Sequence, residues 1–152
     1  MVPERIEHEI LIDAPLEVVW AVVTEPEHVS RWFSDSAKID LQPGGEAILT
    51  WEEHGSVRAS VERVEPPRLF AFRWARPVGA EPRRENSTLV EFNLSEEGER
   101  TRLRVVESGF RELDWPEDDK ASYAAENKQG WDFELGELGE YVAKHVHEST
   151  PR

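Results

Sequence analysis

Hydrophobic and polar residues alternate from Arg5 to Ile12, with Ile6, His8, Ile10 and Ile12 on one face and Arg5, Glu7, Glu9 and Leu11 on the other. A period of two predicts a strand with one buried face. The period then lengthens. Asp13-Ala14-Pro15 reads as a helix start, with Asp as the cap and Pro in the first turn. Leu16, Val19, Trp20 and Val23 follow at three- and four-residue spacing. Thr24-Glu25-Pro26 stops this helix and opens a second, short one over 27–31 that runs into Trp32-Phe33. Period two then returns, and strands are expected over 37–41, 46–53, 57–61, 69–74, 88–94 and 101–108. Pro43-Gly44-Gly45, His54-Gly55-Ser56, Pro66-Pro67 and the polar run 95–99 separate them. Links of hairpin length make the sheet antiparallel.

The pattern changes a last time after Pro116. Ala124, Trp131, Leu135, Leu138 and Val142 fall on one narrow stripe at about 100° per residue, which predicts one long helix over 117–147, with Asn127 and His145 along the stripe's edge. Such a helix needs a large apolar partner, and the strands supply it. The expected fold is therefore α+β: a curved antiparallel sheet of about seven strands wrapped around the long C-terminal helix, with two short helices after the first strand. No repeat, low-complexity tract or linker divides the chain, so residues 1–152 read as one domain.

Composition narrows the function. The net charge is −14, from 32 acidic and 18 basic residues. The basic residues are scattered rather than clustered as a phosphate backbone requires, so nucleic acid and anionic membrane are poor partners. There is no cysteine, which excludes disulfides and thiol chemistry. The N-terminus lacks a secretory pattern, and no run of about 18 apolar residues occurs. A cytoplasmic location and no membrane span are the expectation.

The residues in order carry a family pattern. Ala14-Pro15-Leu16-Glu17-Val18-Val19-Trp20, Glu25-Pro26, Arg31-Trp32-Phe33, Pro43-Gly44-Gly45, Pro66-Pro67-Arg68-Leu69, Phe72-Arg73-Trp74, Ser108-Gly109-Phe110, and Gly130-Trp131 with Leu135, Leu138 and Tyr141 together resemble the helix-grip fold of the START-like, or SRPBCC, superfamily. Within it the chain is similar to the prokaryotic branch of the heat-shock-protein-90 ATPase activator homologues. The superfamily includes lipid carriers, polyketide aromatase/cyclases and hormone receptors. The resemblance therefore implies a cavity for a small hydrophobic molecule, with no cofactor. The position before Ser108-Gly109-Phe110, often His in this family, is Glu107 here. The eukaryotic activator uses an additional domain, for which this chain has no room.

Candidate site residues follow from phase. Trp32, Trp51, Phe72, Trp74 and Trp131 face inward and wall a pocket for a flat apolar ligand or else fill the core; for Phe72 the core is the preferred reading. Glu107 is in phase with Leu103 and Val105. It is either a ligand-orienting or acid/base carboxylate or a strand-end group in solvent or paired with an arginine. Tyr123 and Asn127 lead to Trp131 at four-residue spacing and either offer a hydroxyl and an amide to a ligand or are helix-end polar residues in contact with water. The loop 76–86 is expected to be mobile, and with the segment 111–119 could gate the pocket. No histidine pair has metal-ligand spacing, and His145 and His147 read as helix-terminal residues. Trp115 either docks the start of the long helix or marks a partner surface. Phe133, off the stripe, is either covered by another surface or marks an oligomer contact such as a homodimer. Three functions follow: binding of a small hydrophobic or aromatic molecule, a cyclase or hydrolase using Glu107, and a chaperone-activator-like interaction module.

Overall fold

The computed structural model describes residues 2–75 and 79–146. Strand β1, Arg5–Ile12, is followed by helices α1, Leu16–Thr24, and α2, Pro26–Trp32. Six strands come next: β2 Ser36–Ile39, β3 Glu46–Trp51, β4 Gly55–Glu65, β5 Leu69–Ala75, β6 Ser87–Glu97 and β7 Arg100–Ser108. Helix α3, Glu117–Tyr141, closes the chain, and Val142–Val146 continue it in π-helical geometry. The seven strands form one antiparallel sheet in the order β1-β7-β6-β5-β4-β3-β2. This is the helix-grip architecture read from the periodicities.

Boundaries differ where local signals were weak. Asp13 does not cap α1; Pro15 takes the cap position without a side-chain hydrogen bond. β4 runs back to Gly55, because Trp51 pairs directly with Gly55 and the turn is only Glu52-Glu53-His54. β6 and β7 extend to a tight turn at Gly98-Glu99, since Glu97 still pairs with Arg100. Arg84–Asn86 form a turn of 3₁₀ helix inside the expected loop 76–86. Residues 76–78 of that loop, the side chain of His145 and all of His147 lie outside the described residues.

One face of the sheet is apolar and one is wet. The wet face of β1 and β7 carries cross-strand ion pairs, Arg104 with Glu7 and Arg102 with Glu9. The concave face carries Ile6, Ala47, Val61, Phe70, Phe72, Val90, Phe92, Leu103 and Val105, all buried. Between β4 and β5 the register shifts, so that Val61 faces Phe72 but Arg63 faces Ala71. Such a bulge bends a sheet, as wrapping a helix requires.

Helix α3 lies in this curve. Its predicted stripe is the buried one: Ala124, Trp131, Leu135, Leu138 and Val142 are each at most 3% exposed. A Cβ at Gly139 would meet Ile10 Cδ1 at 3.2 Å, so a side chain there would push the helix from β1. Gly136 faces open space and nothing in the structure explains it. Phe133 is 62% exposed. Trp115 packs edge-on against Tyr123, with centroids 5.2 Å apart, at the start of α3. At Gly109 the backbone turns out of β7 with φ 97°, a left-handed conformation suited to glycine.

Candidate functional site

The chemistry concentrates where the first half of α3 crosses β5, β6 and β7. Trp74 on β5 pairs with Thr88 on β6, and Val90 pairs with Glu107 on β7. Glu107 thus shares its row with Val90, and inward-facing Trp74 and Thr88 lie one inward position along, diagonal to it. Asn127 and Trp131, four residues apart on α3, reach down to the same group.

Glu107 is at its centre and is fully buried. Trp131 Nε1 donates to Oε1 at 2.9 Å and Trp74 Nε1 to Oε2 at 3.0 Å. Thr88 Oγ1 donates to Oε2 at 2.5 Å. Asn127 Nδ2 donates to both oxygens, at 3.1 and 3.0 Å. No basic side chain among the described residues pairs with it. Burial raises the Glu107 pKa above the usual carboxylate range, and the bonds from Thr88, Trp74, Trp131 and Asn127 oppose that rise. An indole N–H can only donate. The site is thus a carboxylate held by neutral donors, and it orients two tryptophans and an amide.

The rings so fixed make one wall. Phe33, Trp74 and Trp131 stack on one another, with centroids 5.5–5.9 Å apart and interplanar angles of 11–21°. Trp51 meets Phe33 edge-on at 5.3 Å and donates its N–H to the Phe33 carbonyl at 3.0 Å. Beside them opens a cleft of about 100 Å³ lined by Phe33, Trp51, Trp74, Asn127, Gly130, Trp131 and Glu134. A Cβ at Gly130 would meet nothing within 4 Å, so the missing side chain leaves room at the cleft.

The eight residues expected at the site divide three ways. Trp51, Trp74, Asn127 and Trp131 line this cleft, with Glu107 holding three of them from behind. Trp32 and Phe72 line a separate interior space of about 20 Å³, among Val29, Ala47, Leu49 and Phe92. That is about the room of one water molecule. Trp32 is anchored there by its N–H to the Val22 carbonyl at 2.9 Å. Tyr123 packs against Phe110 and Trp115 and is not among the residues lining the cleft. Three participants were missed. Phe33 follows the tryptophan chosen from its motif. Thr88 was in phase with Val90 and Phe92 on the inner face. Glu134 continues the helical series Asn127, Gly130-Trp131 at three- and four-residue steps, a signal the apolar stripe obscured.

Glu134 is half-buried, and its Oε2 has no hydrogen-bond partner. Burial, with Glu137 one turn on, raises its pKa from 4.5 to about 7. A raised folded-state pKa contributes stability below the unfolded value that is lost as pH rises through the folded one. Wild type therefore loses stability from this group between about pH 4.5 and 7. Discounted for partial solvation, the loss is about 1–2 kcal/mol. Glu134→Gln is expected to remove it: urea midpoints of variant and wild type coincide near pH 4.5 and separate in the variant's favour above about pH 7. Parallel curves at all pH values would refute the assignment.

Among the described residues no group of three or more His, Asp or Glu is placed to hold a metal ion. Among the described residues no helix is long and apolar enough to cross a membrane.

With fold and site described, comparison with known proteins is informative. The family model described as activator of Hsp90 ATPase homolog 1-like protein matches residues 13–143. The chain belongs to this family. No curated protein matches it. Among solved structures, CalU16 from Micromonospora echinospora is 28% identical, with 95% of this chain and 79% of that one aligned and a TM-score of 0.69. DynU16, from the dynemicin biosynthetic locus, is 25% identical with a TM-score of 0.76. That alignment covers 93% of this chain and 48% of DynU16, so this family member spans about half the length of that relative. The Aha1 dimer from Colwellia psychrerythraea shares the fold at 20% identity, with 91% and 95% of the two chains covered and a TM-score of 0.75.

Proposed function

We propose that the protein binds a small apolar or aromatic molecule, without a cofactor, in the cleft between the first half of α3 and the sheet. The observation that carries this is the cleft itself, whose tryptophans are held from behind by a buried carboxylate. Fixed rings lose little side-chain freedom when a ligand arrives, which favours binding. Glu107 acts as a positioning group: both its oxygens already accept hydrogen bonds, and it lies behind the cleft rather than on its wall. This supports binding over acid/base chemistry at Glu107. The likeness to a protein from a biosynthetic locus agrees with the handling of a small molecule.

Gly130 provides the test. Gly130→Leu replaces a helical glycine by a good helix former, worth about 1 kcal/mol, and its side chain projects into free space at the cleft. The variant is expected to be at least as stable as wild type yet to lose ligand-dependent thermal shift across a panel of sterols, fatty acids, flavonoids and aromatic amines. A panel member that shifts wild type and variant equally would place binding elsewhere.

A further inference from the structure

The cleft has an unusual hydrogen-bonding inventory. Trp74 and Trp131 direct their N–H groups to Glu107, and Trp51 directs its own to the Phe33 carbonyl. The Asn127 amide nitrogen is also committed to Glu107. The side-chain N–H donors of the lining residues are thus turned away from the cleft. What remains is acceptor or π in character: the Glu134 carboxyl group on the wall, whose buried Oε2 has no partner, the Asn127 amide oxygen, and the aromatic walls. The two indoles that donate to a carboxylate become more electron-rich, which strengthens their attraction for a cation.

Charge points the same way. Arg31 and Lys144 line the adjoining surface depression with Glu134, Glu137 and Glu140, but neither forms an ion pair with Glu134 among the described contacts. A ligand carboxylate would find the cleft's side-chain N–H donors already committed and Glu134 on its wall. A ligand ammonium would meet the Glu134 carboxylate at the wall of the cleft and sit beside aromatic rings, the arrangement by which proteins recognise organic cations.

We infer that the ligand is an amine: a small apolar or aromatic molecule whose protonated nitrogen sits against Glu134, beside Phe33, Trp51, Trp74 and Trp131. This rests on the cleft being the binding site. Negatively charged lipids and fatty acids are correspondingly excluded from it.

Three probes of nearly equal size separate the terms: benzylammonium, benzyl alcohol and benzoate. Each is titrated near pH 8, above the Glu134 value of about 7, and followed by NMR at the indole N–H resonances. Wild type is expected to bind benzylammonium about tenfold more tightly than benzyl alcohol, with benzoate weakest. Glu134→Gln, a near-isosteric change at a helix position, is expected to bring benzylammonium within about twofold of the alcohol. Equal affinity of wild type for benzylammonium and the alcohol overturns the amine assignment and leaves the cleft reading intact. A tenfold preference that survives in Glu134→Gln overturns the role of Glu134. Absence of indole shifts with all three probes into the millimolar range, about the affinity expected for ligands this small, removes the cleft reading and this inference together.

Discussion

Glu107→Ala is expected to lower the unfolding free energy by about 3–5 kcal/mol, far more than a surface carboxylate would. The reason lies in what remains. Thr88, Asn127 and Trp131 donate to this one side chain, Trp74 divides its N–H between it and Thr88 Oγ1, and Glu107 is fully buried. Alanine leaves the buried donors of Thr88 and Trp131 without that acceptor and loosens Trp74 and Asn127, and each stranded buried group costs about 1–3 kcal/mol before relaxation. Glu107→Gln retains one acceptor but turns an amide N–H₂ toward an indole N–H that can only donate. It is expected to cost about 1–3 kcal/mol. Urea denaturation monitored by tryptophan fluorescence measures both, and the order Ala worse than Gln is part of the prediction. A Glu107→Ala loss below about 0.5 kcal/mol, the range of ordinary surface changes, would mean that the four donors find other partners.

The second large effect is at Trp131. Its ring stacks on Phe33 at 5.5 Å and on Trp74 at 5.7 Å, and meets Phe92 edge-on at 5.8 Å. Its N–H is bonded to Glu107 at 2.9 Å. Trp131→Ala deletes the ring that joins helix to sheet and is expected to cost about 3–5 kcal/mol. Trp131→Phe keeps most of the apolar contact and loses only the hydrogen bond and some volume; a loss of about 1–2 kcal/mol is expected. The pair separates packing from polar anchoring. Combining Trp131→Phe with Glu107→Gln should cost less than the sum, because the first change removes one of the donors that the second strands. Strict additivity in that double-mutant cycle would contradict the shared network.

Much of the fold was legible because local signals agreed. Alternation along 5–12, 69–74, 88–94 and 101–108 marked the inner face of the sheet, and the stripe of Ala124, Trp131, Leu135, Leu138 and Val142 marked the face of α3 that meets it. A residue's side of a strand is set by parity alone, so Glu107 was identifiable as inward-facing without coordinates. Strand ends were less legible. β4, β6 and β7 run past the predicted limits because their final residues pair with a neighbouring strand, Glu97 with Arg100 for example. Their side chains are polar and carry no alternation to read.

The candidate site was legible only as a set of members. Phase and motif identified Trp32, Trp51, Trp74 and Trp131 as inward, with Asn127 at the stripe's edge and Phe72 already preferred as core, but did not set Trp32 and Tyr123 apart from the cleft. Their separation into a cleft, an interior space of about 20 Å³ and a helix-start cluster depends on which ring fills which gap. Filling is a property of neighbours distant in the chain. Phe33 lines both the cleft and the interior space, whereas Trp32 lines only the latter of the two.

By itself, then, the sequence determined the element order, the apolar face of each element and the presence of a carboxylate in an apolar row. Those follow from periodicity and residue type, which are local. Only the tertiary structure decided that Glu107 is bonded by four neutral donors instead of a cation, that those donors face away from the cleft, and that Glu134 is left with an unpartnered oxygen. Hydrogen-bond partners here are 19 to 33 residues apart, and which groups meet depends on strand register and on how α3 sits in the curved sheet. No local pattern encodes that, because it arises from the packing of the whole chain.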